Sequence, residues 1–167
     1  MGCDIHMHVE FKSPRWSDDT NWKCGDYFTI TDPTDTNCIP EYIGLLESRC
    51  YSRFAVLADV RNRGDYPCIS SPKGFPKDAT DYVKNQYEEW LGDAHSVSYL
   101  TLREIVEFHE SVRPMNEFGG YILEPLIERL ARRADELCIL LDFEMKDPTP
   151  SARRKMENIR IVFWFDN

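Results

Sequence analysis

The sequence lacks any run of about 18 uncharged apolar residues, which is the length that a membrane-spanning helix needs. Its first ten residues include His, Asp and Glu, so they do not form the apolar centre of a secretory signal. No C-x-x-C pair occurs among the six cysteines, so the usual zinc-finger spacing is missing. We therefore expect a cytoplasmic protein with reduced cysteines and no association with a membrane.

Positive charge is also scarce. The 167 residues include 20 Lys and Arg against 29 Asp and Glu, for a formal net charge of −9. A protein that binds duplex nucleic acid neutralises phosphates with an excess of Lys and Arg on one face, so we do not expect that function. A small phosphorylated ligand needs only one or two local cations and is not excluded.

Two enzyme motifs are incomplete or missing. No Gly-x-Ser-x-Gly segment is present, so acyl-transfer hydrolase chemistry has no support. Lys73-Gly74 lacks the remainder of a phosphate-binding P-loop. The chain is also shorter than the about 250 residues of a (β/α)₈ barrel. Its length suits a single domain over residues 1–167.

The hydrophobic pattern predicts strands at both ends of the chain. Residues 3–11 alternate between apolar and polar side chains, which is typical of a half-buried strand with Ile5, Met7 and Val9 inside. Ile159–Phe165 is a nearly continuous apolar run, which predicts a central strand buried on both faces. Between them, the short apolar run Tyr27–Ile30 predicts an edge strand, and helical stripes begin near Tyr51 and Thr80.

Two more helices are predicted before the terminal strand. The first follows a capping box of Thr101 and Glu104, and the second covers about Ile122–Leu141. Residues 92–98 are too short and polar for an element of their own. The predicted fold class is α+β, with a small, mostly antiparallel sheet whose N- and C-terminal strands are adjacent, packed by about four helices.

The polar face of the first strand carries Asp4, His6, His8 and Glu10. Side chains two positions apart on a strand project in the same direction, and imidazole and carboxylate are usual ligands for zinc or manganese. The alternative is an ordinary solvent-facing strand surface. If the terminal strands pair, Asp166 joins Asp4 and His6, unless the end of the chain is frayed.

Asp93-Ala94-His95 repeats the Asp-x-His pattern of Asp4-Ile5-His6. An Asp near a His can fix its tautomer and raise its basicity, in base catalysis and in metal ligation alike. Ser96 and Ser98 follow in a turn before a capped helix, where hydroxyls and free N–H groups can meet an anion. We predict one site containing both His6 and His95; a purely structural turn is the alternative for the second segment.

Three residues are candidate contacts to the ligand. Arg61 and Asn62 close the helix that begins near Tyr51, and Lys73 lies in a Pro-bounded loop. Arginine binds phosphate or carboxylate through two parallel hydrogen bonds. The alternative for Arg61 is that it only complements the helix C-terminus.

Five segments resemble a known family: Met1–His6, Phe54–Asn62, Pro72–Pro76, Asp93–Leu102 and Arg160–Asn167. Together they are similar to small, uncharacterised bacteriophage and prophage proteins. The resemblance implies a phage-encoded accessory protein of the host cytoplasm and carries no mechanism. Separately, Asp4–His8 resembles the first-strand His-x-His of metal-dependent amidohydrolases and related phosphoesterases, whose further ligands lie on a larger barrel.

The sequence supports two main hypotheses of function. In the first, the protein is a metal-dependent or His-assisted hydrolase of a small phosphorylated, nucleotide-like substrate. Its catalytic residues are Asp4, His6, Asp93 and His95, and Asp4, His6, His95 and Asp166 hold the metal. In the second, the same pocket sequesters a nucleotide signal of host defence without turnover. A third possibility is an acidic decoy that binds a basic host protein. A homo-oligomer is left open.

Overall fold

The computed structural model describes residues 2–13, 20–31, 34–35, 37–46, 49–112, 120–137, 139 and 149–167. Within them the strands are β1 (Ile5–Phe11), β2 (Lys23–Cys24), β3 (Tyr27–Thr29), β4 (Glu41–Ile43), β5 (His95–Thr101) and β6 (Ile159–Phe165). The helices are α1 (Tyr51–Ala58), α2 (Asp81–Glu88), α3 (Leu102–Val112), α4 (Gly120–Glu136) and α5 (Pro150–Lys155), with a 3₁₀ turn over Met156–Asn158. The fold is α+β.

The main sheet is antiparallel with the strand order β2-β1-β6-β5. The first and last strands pair along their full length, from Ile5 opposite Phe165 to Phe11 opposite Ile159. This confirms that the terminal strands are adjacent. All seven residues of β6 are buried, as the continuous apolar run predicts. A separate two-stranded sheet is formed by β3 and β4.

Strand β5 differs from the sequence prediction, which gave residues 92–98 only a turn. Its first residue pairs with β6, and a bulge interrupts the register between His95 and Ser98. Ser96 lies in the bulge with a φ of 50°, in the left-handed region. A bulge breaks the two-residue alternation by which a strand is recognised, so the pattern in this segment was misleading.

Each face of the sheet is covered by a different apolar layer. On one face, Met7, Val9 and Phe163 pack with residues of α1, α3 and α4 in the main core. On the other face, Val162 and Trp164 pack against Val83 of α2 and partly buried aromatic residues around it. The polar residues of β1 therefore lie beneath a second layer of the protein.

The ends of the helices largely follow the sequence signals. Thr80 caps α2 by accepting a hydrogen bond from the Val83 N–H at 3.3 Å. The predicted capping box is confirmed, because the Glu104 N–H donates to Thr101 Oγ1 and Glu104 Oε2 accepts from the Thr101 N–H. Helix α5 was not predicted, and residues 140–141, the predicted end of α4, lie outside the described residues. Within the described ranges, no helix is long and apolar enough to cross a membrane.

Candidate functional site

We call Asp4, just before β1, and His6, His8 and Glu10, within it, the polar row. Each of these side chains is paired with one from a distant part of the chain. The pairs are Asp4 with Arg49, His6 with Asp166, His8 with Asp26, and Glu10 with Arg160. The row is therefore neither an open metal site nor a bare solvent-facing surface. Exposure divides it into a buried half, His8 and Glu10, and an accessible half, Asp4 and His6.

His8 and Glu10 form the buried half. His8 Nδ1 lies 2.7 Å from Asp26 Oδ2, and both side chains are almost fully buried. Glu10 Oε2 accepts from Arg160 Nε at 2.8 Å, and Glu10 Oε1 accepts from the Thr80 N–H at 2.6 Å. Ions removed from water need partners, and Arg160 has a second one, because its Nη1 donates to Asp78 Oδ1 at 2.9 Å. Arg160 Nη2 lies 2.7 Å from Glu10 Oε2 but makes no hydrogen bond among the described residues. We interpret both pairs as structural links between the sheet and the layer that covers it.

His6 and Asp166 form the centre of the accessible half. His6 Nε2 lies 3.2 Å from Asp166 Oδ2, and Asp166 Oδ1 accepts from the Asp4 N–H at 2.8 Å. Partial burial raises the pKa of Asp166, but the hydrogen bonds from the Asp4 N–H and from His6 outweigh it and leave that pKa below its usual value. The His6 ring lies 4.0 Å from the Trp90 ring and remains 23% exposed. This pair resembles a histidine oriented by a carboxylate.

His95 does not join His6. The register places His6 opposite Trp164 and His95 opposite Phe165, and each imidazole stacks on its cross-strand neighbour. Trp164 and Phe165 are consecutive in β6, so their side chains point to opposite faces of the sheet. The prediction of one site containing both histidines is therefore wrong. His95 Nδ1 lies 3.1 Å from Ser96 Oγ, and His95 Nε2 is buried without a hydrogen-bond partner among the described residues.

Other predicted site residues have internal contacts. Asn62 uses its side-chain amide on Asp59 Oδ1 and on the backbone of Tyr66. The Lys73 ammonium pairs with Glu104, and Ser98 Oγ accepts from the Lys73 N–H at 3.2 Å. These three side chains hold loops in place, and their role as ligand contacts stays a prediction. Asp93 is exposed, and its N–H donates to the Trp90 carbonyl.

Arg61 lies on the wall of a cleft. The cleft has a volume of about 430 Å³ and is lined by Tyr51, Ser52, Arg61, Arg63, Gly64 and Tyr66. Arg61 Nη2 donates to Asn167 Oδ1 at 3.2 Å, so the cleft lies beside the end of β6. Within the described ranges neither Arg61 nor Arg63 has a salt bridge to a carboxylate. We call this pocket, defined by its six lining residues, the arginine cleft.

Sequence reasoning missed Arg63, Tyr51 and Tyr66 as site residues. A single arginine in a loop has no periodicity to mark it, and Tyr51 was assigned to a helical stripe. The sequence signal that could have identified this site is the presence of two arginines, Arg61 and Arg63, on either side of Asn62. Asn62 anchors the loop, so that the two arginines beside it line one cavity.

A larger cleft of about 580 Å³ lies between α4 and the β3–β4 hairpin. Its charged lining residues are Glu128, Arg129, Arg132 and Glu136, which balance one another. Arg129 also donates to the Leu45 carbonyl, and Glu136 accepts from the Tyr27 hydroxyl. An anion is therefore less favoured here than in the arginine cleft.

The predicted metal set is only partly assembled. Asp4 and Asp166 lie near His6, but the Asp4 carboxylate is held by both Arg49 donors, and His95 is on the other face of the sheet. In the part of the chain that the structure describes, no group of three or more His, Cys, Asp or Glu side chains is placed to hold a metal ion.

Comparison of the chain with protein-family models, with curated proteins and with solved structures found no match. The resemblance to phage proteins therefore stays a prediction. Only the geometry of the site bears on the choice of ligand.

Proposed function

We propose that this protein binds a small phosphorylated, nucleotide-like ligand in the arginine cleft. The observation that carries the proposal is the pair of guanidinium groups, Arg61 and Arg63, that face one cavity without a carboxylate partner among the described residues. In a chain of net charge −9, two such cations in one place favour an anion. A guanidinium binds a phosphate through two parallel hydrogen bonds.

The remaining lining residues suit the rest of a nucleotide. Tyr51 and Tyr66 supply aromatic rings, and Tyr51 is 41% exposed, so a base has a ring to stack on. Ser52 supplies a hydroxyl for a sugar or phosphate oxygen. The cavity volume of about 430 Å³ lies within the range of about 300–1,000 Å³ that is usual for small-molecule sites.

The position of Arg61 is set by the local fold before any ligand binds. Asp59, the residue that caps the C-terminus of α1, has a left-handed conformation, and Arg61 is also left-handed, with a φ of 55°. Asn62 then ties the loop to Asp59 and Tyr66. A preformed loop loses less conformational entropy when the ligand binds.

Calorimetric titration with a panel of purine and pyrimidine nucleotides tests this function. We expect binding by the wild-type protein and a loss of about tenfold or more in affinity for Arg63→Ala, because a charge-assisted contact is removed. Arg132→Ala is the matched control, since this exposed arginine lines the larger cleft. No binding by the wild type, or equal losses in both variants, contradicts the proposal.

The His6–Asp166 pair supports a second candidate function, hydrolysis of a small phosphorylated substrate that reaches the exposed edge of the His6 ring. Asp166 orients the His6 imidazole, and the partly exposed ring is accessible to act as a base or acid. Chromatography after incubation with each nucleotide, with and without zinc or manganese, distinguishes turnover from binding. Turnover that is lost in His6→Gln supports the hydrolase. Recovery of intact nucleotide under all conditions supports a protein that sequesters a nucleotide signal of host defence without hydrolysing it.

A further inference from the structure

We infer that Arg49 is a third phosphate contact of the arginine cleft, held by Asp4 until a ligand with more than one phosphate is bound. This inference rests on the proposed binding function and makes it more specific. It assigns the preferred ligand to the nucleoside di- and triphosphates. It also assigns to Asp4, a predicted catalytic and metal residue, the role of controlling Arg49.

The position of Arg49 places it beside the cleft. Arg49 comes two residues before Tyr51, which lines the cleft, and its guanidinium interacts with the Tyr51 side chain. The Asp4 N–H donates to Asp166, whose chain neighbour Asn167 contacts Arg61. Arg49, Arg61 and Arg63 are therefore grouped around the end of the sheet where β1 begins and β6 ends.

The contact that holds Arg49 is readily exchanged. Its guanidinium makes a two-point contact with the Asp4 carboxylate, with Nε at 2.6 Å from Oδ1. The two side chains are 44% and 53% exposed. Exposed ion pairs contribute little net stability, because water and salt replace them at little cost. A phosphate carries more charge than a carboxylate and competes for the same two donors.

Gly2 shows how closely this pair is packed. A Cβ atom at position 2 would lie 2.5 Å from Arg49 Nη1, so any larger residue displaces the guanidinium. The displaced group is the far end of a flexible side chain, so it can move without disturbing the backbone. Gly2→Ala therefore shifts the Arg49 guanidinium away from its place beside Asp4, and Asp4→Asn removes the charge that holds it, so the two variants weaken the contact by independent means.

The number of phosphates decides whether Arg49 is used. A monophosphate is bound by Arg61 and Arg63 and gains nothing from a third guanidinium. A longer polyphosphate extends toward the mouth of the cleft and exchanges with Asp4 for Arg49. Preference among ligands of the same base then depends on the length of the phosphate chain.

The test compares adenosine mono-, di- and triphosphate by calorimetry in buffer without divalent cations. We expect the wild type to bind the triphosphate about tenfold or more tightly than the monophosphate. Arg49→Gln should remove this difference and leave monophosphate affinity unchanged. Arg103→Gln is the matched control, because Arg103 is also in a half-exposed ion pair, with Glu107 on α3, and should change neither affinity.

Two further variants keep the test decisive if Arg49→Gln does not fold. Asp4→Asn and Gly2→Ala should each raise affinity for the triphosphate severalfold and leave that for the monophosphate unchanged. Equal binding of all three nucleotides, or no change in either variant, overturns the role of Arg49 while leaving the arginine cleft intact. No binding of any nucleotide overturns the proposed function itself, and this inference with it.

Discussion

Asp166 reaches His6 across 160 positions of the chain, with Asp166 Oδ2 at 3.2 Å from His6 Nε2. The contact follows from the antiparallel pairing of β1 with β6, which sets His6 opposite Trp164. Asp166, two residues after Trp164, projects from the same face and meets the ring. The accessible half of the polar row therefore depends on how the two ends of the chain pair.

The Glu10–Arg160 pair should be important for stability and irrelevant to the ligand. Arg160→Ala leaves the buried Glu10 carboxylate without its charged partner, which typically costs about 3–5 kcal/mol. Glu10→Ala should cost less, because Arg160 keeps its ion pair with Asp78. Urea unfolding measures the loss. Arg103→Ala, which removes exposed ion pairs with Glu107 and Glu157, is the control and should cost less than about 1 kcal/mol.

Replacing both members of the buried pair separates the ion pair from the burial of charge. A Glu10→Met, Arg160→Met double variant leaves no buried charge unpaired, since the other partner of Arg160, Asp78, is exposed, so it should be more stable than either single variant. A double variant as unstable as the sum of the single changes would show that packing, not charge, sets the cost.

The elements that the sequence predicted well are those with an uninterrupted pattern. β1 alternates over its whole length and β6 is apolar except for Arg160, so both strands and the burial of β6 were predicted. The burial of His8 and Glu10 on the polar side of β1 was not predicted. The apolar run Tyr27–Ile30 predicted β3, whereas β4 has only three residues, which is too few for a period to be recognised. β5 has enough residues, but its bulge interrupts the alternation.

The candidate site was predictable only where it follows the sheet. The approach of Asp166 to His6 follows from strand pairing and side-chain alternation. The Glu10–Arg160 contact follows from the same pairing, because the register sets these two residues opposite each other. The partner of His8, Asp26, comes from a loop, and no local pattern predicts that contact. The repeated Asp-x-His pattern likewise contains no information about which face of the sheet each histidine lies on. It therefore predicted one shared site, whereas His6 and His95 lie on opposite faces.

Acid should weaken the fold partly through Asp166. The hydrogen bonds from the Asp4 N–H and His6 outweigh the effect of burial and lower the folded-state pKa of Asp166 below its ordinary value of 3.8. Asp166 therefore stabilises the fold above that value, and the contribution is lost as the pH falls through the lower folded pKa. Urea midpoints measured from about pH 6 to about pH 2 should fall less steeply for Asp166→Asn than for the wild type.

The control for this measurement is Asp93→Asn, because Asp93 is exposed and its N–H, not its carboxylate, makes the contact with Trp90. This variant should keep the wild-type dependence on pH. If Asp166→Asn also keeps it, the hydrogen bonds to Asp166 do not contribute to stability in solution.

Alkali should weaken the fold through Tyr82, which lies edge-on to His8 in the layer covering β1. Burial, followed by the negative charge of Asp26, raises the pKa of Tyr82 from 10.0 to about 12. The protonated hydroxyl is favoured in the folded state, so its contribution is complete below pH 10 and is lost as the pH rises to about 12. Tyr82→Phe should therefore show a shallower loss of stability over this interval, measured by urea unfolding.

Near-ultraviolet absorbance, which reports the ionisation of tyrosine, tests the cause of this shift directly. Asp26→Asn removes the nearby negative charge and keeps the side-chain shape, so the pKa of Tyr82 should fall toward its ordinary value. Burial, the larger cause, remains in this variant, so the pKa should not return fully to 10.0. An unchanged titration in Asp26→Asn would mean that burial alone protects the hydroxyl, and that the charge beside His8 does not reach Tyr82.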